Sequence, residues 1–196
     1  MRQILIIHGG DSFSSYEEYL HNLKQTELTY DRLLQKRRWK DNIIDIFPEA
    51  DVLTPQMPNS ANAQYDEWTI WFEKILSLLG DNVSIIGHSL GAMFLAKYLH
   101  SQPLHKPIKQ LVLLAAGYDE EAEGYGQFKI ESATGLERNA HEIHIMHSRD
   151  DFIVPYEALD KFARDIPTAT IHRFTDRNHF LDEDFPELIE ILEKYK

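Results

Sequence analysis

Short β-rich apolar runs recur along the chain at residues 4–7, 50–53, 83–86, 111–115, 143–147 and 170–174, several of them apolar at almost every position. Runs of this length, without strict alternation, are what strands need when both faces of their sheet are covered. The segments between them change period. Trp68, Trp71, Phe72, Ile75, Leu76 and Leu79 fall on one stripe at helical spacing, as do Phe94, Leu95, Tyr98 and Leu99. A third stripe, Phe185, Leu188, Ile189 and Leu192, follows Asp184 in the N-cap position. Strands alternating with helices predict an α/β chain: a doubly wound, mostly parallel six-stranded sheet with helices on both faces and right-handed crossovers. Ligands of such sheets bind at the carboxyl ends of the strands, so the residues just after each apolar run are where chemistry is expected.

Two segments interrupt the alternation. Residues 15–46 are long for one crossover and predict one or two helices, with the basic run Lys36-Arg37-Arg38-Trp39-Lys40 read as a solvated helix face. Residues 117–140 are rich in glycine and acids with weak periodicity, and read as either a small lid or a surface loop. With no repeat or linker in view, residues 1–196 are expected to form one domain.

Composition narrows the class. A formal net charge of -12 argues against nucleic acid and against an anionic membrane as partners. There is no cysteine, which excludes a disulfide framework, a thiolate zinc site and a cysteine nucleophile. The first apolar run is too short for a signal sequence or a membrane span, and a cytoplasmic protein is expected. Composition leaves the oligomeric state open.

Candidate chemistry lies at four strand ends. Gly87-His88-Ser89-Leu90-Gly91 sits between the apolar run 83–86 and a helical segment, the arrangement of a nucleophile elbow. The glycines have a steric purpose there, since a Cβ at Gly87 or Gly91 would clash in the tight turn. His8-Gly9-Gly10 follows the first run and lets backbone N–H groups face a site. Asp150 and Asp151 follow the fifth run, ahead of Val154-Pro155, and either can orient a base. His179 follows the sixth run, just before the last helix. His141, His144 and His147 have a spacing that does not share one strand face, so they are not read as metal ligands.

These motifs together resemble the α/β-hydrolase superfamily in its minimal form, and more narrowly the small serine hydrolases of the retinoblastoma-binding-protein type and their bacterial relatives. The narrower likeness is carried by Met57-Pro58-Asn59 followed by Trp68 and by Phe174-Thr175-Asp176 with His179-Phe180, and Glu123-Gly124-Tyr125 adds general support. The resemblance implies a serine hydrolase with ester-type activity, needing no cofactor and no metal, whose partner is a small-molecule ester or acyl substrate. It implies Ser89 as nucleophile, His179 as base, and Asp151 as orienting acid from the Asp-x-x-Val-Pro spacing, with Asp150 as a loop residue or supporting acceptor. It further implies the backbone N–H groups of Gly10 and Leu90 as an oxyanion hole. Met57, Trp68 and Tyr125 are candidates for the substrate pocket. Asn178 departs from the pattern, standing where glycine commonly precedes the histidine. Two other readings are a non-catalytic binding or scaffold protein on the same fold, and an acyltransferase using the same three residues.

Overall fold

The computed structural model describes the chain apart from residues 35, 120–123 and 196. All six apolar runs form strands: β1 (Arg2–Ile7), β2 (Ala50–Leu53), β3 (Val83–His88), β4 (Ile108–Leu114), β5 (Ala140–Ser148) and β6 (Thr170–Phe174). They make one sheet in the order β2-β1-β3-β4-β5-β6, and every pairing is parallel. The order reverses at β1, so the crevice beside β1 and β3 is the position at which such sheets place ligands.

The helices are α1 (Tyr16–Gln25), α2 (Tyr30–Leu33), α3 (Trp39–Ile46), α4 (Tyr65–Leu76), α5 (Leu90–Ser101), α6 (Ala158–Asp165) and α7 (Pro186–Glu193). Strand side chains alternate between the two faces, and the core divides accordingly. Leu5, Ile7, Ile85, Leu111, Leu113 and Ile145 pack with α4, α5 and α6. Their neighbours Ile4, Ile6, Ile86, Val112, Leu114 and Met146 pack with α3 and α7. The continuous apolar runs are thus two alternating stripes, each buried under its own helical layer. Helix α5 is buried nearly all round because it lies behind the centre of the sheet.

Among the described residues, 15–46 hold three helical pieces rather than one or two, because Ser15 and Thr29 each cap a separate start with a side-chain oxygen. The basic run is not one helix face. Arg38 is the N-cap of α3, Trp39 is its buried first residue, and only Lys40 follows within the helix. Helix α7 begins one residue later than expected, with Phe185 rather than Asp184 at its N-cap and Pro186 at N1. Trp71 turns to solvent although its spacing fits the core stripe, and Leu79 lies beyond the end of α4. Within 117–140, Tyr125 bridges Ser12 in parallel and short 3-10 turns span Gly126–Phe128 and Leu136–Arg138. The part of that segment at 120–123, including Glu123, lies outside the described residues.

Candidate active site

Strand β3 delivers Ser89. The Ser89 N–H still bonds to the Leu114 carbonyl (2.9 Å), extending the sheet by one residue, and α5 starts at the next position. Ser89 turns this corner at φ 56°, ψ -124°, a region that residues with a Cβ seldom adopt. Two close contacts fix the glycines on either side of it. A Cβ on Gly87 would lie 2.6 Å from Cα of Ala92, inside the elbow. A Cβ on Gly91 would lie 2.4 Å from the Ile7 carbonyl oxygen, so this glycine is needed for close approach to β1 rather than within the turn. Gly9 approaches from the other side less tightly: its Cβ would stand 3.0 Å from Ser89 Cβ.

The loop after β1 is pinned from two directions. Asp11 N–H donates to Ser60 (2.9 Å), Ala63 N–H donates to Asp11 (2.8 Å), and Ser12 N–H donates to Gly124 (2.9 Å). His8 accepts the Met57 N–H at Nε2 (2.9 Å), so its ring proton is on Nδ1, facing the Gly9 carbonyl at 2.6 Å. Burial holds His8 below the usual histidine range, which keeps this tautomer neutral. Among the described residues, the backbone N–H groups of Gly10 and Leu90 have no hydrogen-bond partner, and both residues line the cavity at Ser89.

The ends of β5 and β6 hold the acid and the histidine. Asp151 Oδ2 faces His179 Nδ1 at 2.8 Å, while its Oδ1 accepts the N–H groups of Ile153 (2.8 Å) and Val154 (3.0 Å). His147 adds a ring nitrogen 3.7 Å from Oδ2. Burial raises the Asp151 pKa, but the His179 bond and the two backbone donors outweigh it, and the carboxyl sits below its ordinary range. Asp150 points elsewhere. Its Oδ1 accepts the Ser148 hydroxyl and the Asn178 N–H (2.9 Å), and Ser148 Oγ accepts the Arg177 N–H (3.0 Å). Asp150 therefore clamps the loop before His179 rather than touching its ring.

Asn178 has φ 49°, which explains why glycine would suit this position and why asparagine is the residue that replaces it here. Two further tethers hold the loop from the far side. His88 Nε2–H donates to the His179 carbonyl (2.8 Å), and Trp39 Nε1–H donates to the Phe180 carbonyl (3.1 Å). Burial, with His179 alongside, pushes His88 down to about 3, so it is a neutral donor. Neither His88, which occupies a variable position of the pentapeptide, nor Trp39 was visible as a site residue in sequence. Their tethers join residues 91 and 141 positions apart, with no local pattern to announce them.

Ser89 and His179 border one cavity of about 470 Å³, with Gly10, Leu90 and Tyr125. No hydrogen bond joins Ser89 Oγ to His179 among the described residues. Ile153 and Leu181 supply apolar wall that sequence reasoning missed. Met57 and Trp68 do not border this cavity. Both are buried in the core, where Met57 supports His8 through its backbone and Trp68 Nε1–H donates to Pro58 (2.8 Å) while its ring meets His8 edge-on. Their size and apolarity suited a pocket, but the same properties suit the packing beneath it.

Residues 33–188 match the family model described as serine hydrolase. The chain belongs to the serine hydrolase family. This serine hydrolase is 26% identical to the serine hydrolase RBBP9 of Rattus norvegicus over 155 residues, covering 79% of the chain and 82% of that protein. It is 22% identical to YdeN of Bacillus subtilis (strain 168) over 204 residues, covering 99% of the chain and 96% of that protein. The crystal structure of the ydeN gene product superposes on it with a TM-score of 0.74 at 19% identity, covering 100% and 98% of the two chains. The last likeness bears on the fold: it is that of a minimal α/β hydrolase, as the sequence led us to expect. No helix among the described residues is long and apolar enough to cross a membrane.

Proposed function

We propose that this serine hydrolase cleaves ester-type acyl bonds through Ser89, His179 and Asp151. The observation that carries the reading is the 2.8 Å contact between Asp151 and His179 Nδ1, with the same ring bordering the cavity at the strained Ser89. Asp151 fixes the proton of His179 on Nδ1 and leaves Nε2 as the acceptor. Ser89 Oγ attacks the acyl carbon and gives its proton to Nε2. The carbonyl oxygen takes the negative charge, and the N–H groups of Gly10 and Leu90 stabilise it. Collapse breaks the carbon–oxygen bond, and the leaving alkoxide takes the proton from His179. Water, deprotonated by the same ring, then attacks the acyl-enzyme and releases the acid and Ser89.

The missing Ser89–His179 hydrogen bond fits a free enzyme, in which such contacts tighten on substrate binding. Three further features support the reading: two donor N–H groups are free at the cavity, Asp151 stays ionised, and the loop of His179 is tied down at four points. A scaffold protein would need none of these. The test is turnover of short p-nitrophenyl esters by the purified protein. Ser89→Ala is expected to lower kcat by around 10⁶-fold. Equal turnover by the wild type and the variant would rule the reading out.

A further inference from the structure

The cations of the 36–40 run divide into two pairs. Lys36 is held by Asp31 (2.7 Å), and Arg37 by Asp45 (3.1 Å) and Glu183 (3.6 Å). Arg38 and Lys40 have no carboxylate within ion-pair distance among the described residues, and both border the cavity that contains Ser89 and His179. What sets these two cations apart is their placement together on one wall of the cavity at Ser89, where the field of one adds to that of the other. The nearest acid in sequence, Asp41, is committed to the helix start: its Oδ2 accepts the Arg38 N–H at 2.8 Å.

Their position is fixed by the residue between them. Trp39 is buried, donates through its ring to the Phe180 carbonyl and through its backbone N–H to the Asp182 carbonyl (2.9 Å). The two cations are therefore anchored to the loop that carries His179. Lys40 also borders a second cavity of about 370 Å³ with His8 and Gln56, which line the first as well, so the cleft continues past Lys40 toward β2. Both cations are close enough to disfavour protonation of His88. Two acids border the cleft: Asp11, which lies against Gly124 in the segment that bridges the loop after β1, and Asp41, which lines the second cavity with its Oδ2 on the Arg38 N–H.

We infer that Arg38 and Lys40 form an anion subsite of the catalytic cleft, and that the substrate is an acyl ester bearing a carboxylate or phosphate group. The inference deepens the ester-hydrolase reading and rests on it for the word substrate, but the subsite itself is a binding claim. Binding is therefore read separately from turnover. Glutarate and glycerol 3-phosphate are titrated by NMR into Ser89→Ala protein with and without the Arg38→Gln and Lys40→Gln pair. Saturable binding of at least one anion, weakened about tenfold or more by the pair and by raised salt, is expected for charge-assisted contacts at a part-exposed site. The two ligands distinguish carboxylate from phosphate.

Turnover is then compared for p-nitrophenyl acetate, for 3-acetoxy-4-nitrobenzoate, which carries the charge on the alcohol side, and for mono-p-nitrophenyl glutarate, which carries it on the acyl side. The ratio of kcat/KM for a charged ester to that for the neutral one is expected to fall about tenfold in the Arg38, Lys40 double variant. It should not change in Lys36→Gln with Arg37→Gln, which removes the same charge outside the cleft. Anion binding without ester turnover would sink the hydrolase reading and keep the subsite. Turnover with no anion binding, or an equal loss of binding in the two double variants, would overturn the subsite.

Discussion

Asp151→Asn is the substitution whose effect follows most directly from the geometry. In the wild type, Oδ1 is occupied by the N–H groups of Ile153 and Val154, and Oδ2 faces His179 Nδ1 at 2.8 Å. An asparagine keeps its carbonyl oxygen toward the two backbone donors, because turning the amide would set NH₂ against two N–H groups. The NH₂ then meets His179 Nδ1, which can accept only if its proton moves to Nε2. With Nε2 protonated, the ring cannot take the Ser89 proton, although nothing has shifted in space. A carboxylate-to-amide change of this kind lowers kcat by about 10⁴-fold, or ~5 kcal/mol. Asp150→Asn is the control. Its Oδ1 accepts from Ser148 and Asn178, and an amide oxygen does the same, so a loss of less than about tenfold is expected from hydrogen bonds weakened but not broken. Steady-state hydrolysis of p-nitrophenyl acetate, on variants checked by circular dichroism and thermal melting, separates the two. If Asp151→Asn kept a tenth of the activity, or Asp150→Asn lost as much as Asp151→Asn, the assignment of the acid would be wrong.

Three other outcomes follow from the same contacts. Gly91→Ala should destabilise the fold by about 1–3 kcal/mol or more in urea unfolding, because its Cβ would meet the Ile7 and His8 carbonyl oxygens at 2.4 and 2.5 Å. At φ 49°, Asn178→Gly should retain activity and stability, while Asn178→Val should cost about 1–2 kcal/mol and lower kcat by displacing His179. Stability should also fall with pH as His88 is approached from above. Its unfolded value is about 6.5 and its folded value about 3, so above pH 6.5 nothing is lost. Below that, the unfolded chain takes up a proton that the native chain refuses, at up to about 1.4 kcal/mol per pH unit with a ceiling of ~5 kcal/mol. The ring edge borders the cavity, so solvent there makes the measured slope shallower. Urea titrations between pH 7.5 and 4.5 should show the slope, and His88→Gln should reduce it, leaving the part owed to His8, His144 and His172, whose pKa values burial also lowers. Asp151, whose folded pKa is lowered, withdraws its contribution only at more acid pH, as its carboxylate protonates.

The central strands were legible because burial on both faces leaves little room for a polar position; the edge strands β2 and β6, part-exposed and interrupted by Asp51, His172 and Arg173, were legible from their Val, Leu, Ile and Phe, and all six formed. The glycines around Ser89 were legible for a similar reason, since backbone contact admits no side chain; the structure adds that Gly91 serves the approach to β1. What sequence could not supply was anything decided by long-range placement. Arg38 and Lys40 looked like a solvated face because a charge run carries no record of which members find partners. Trp39 between them is what turns them toward the cleft, and its tether is to a residue 141 positions away. Met57 and Trp68 do not border the cavity at Ser89, and sequence could not tell this because large apolar side chains serve the core and a cavity wall equally well in composition. Asp150 and Asp151 were separable only through family spacing, since adjacent acids on a turn differ in direction rather than in chemistry.

The central claim is that Ser89 is the nucleophile, and intact-protein mass spectrometry after treatment with a fluorophosphonate tests it most directly. One adduct per chain, mapped by peptide sequencing to Ser89 and abolished both by Ser89→Ala and by prior denaturation, is the expected result. Labelling that persists in Ser89→Ala, or a native protein that remains unlabelled, would contradict it.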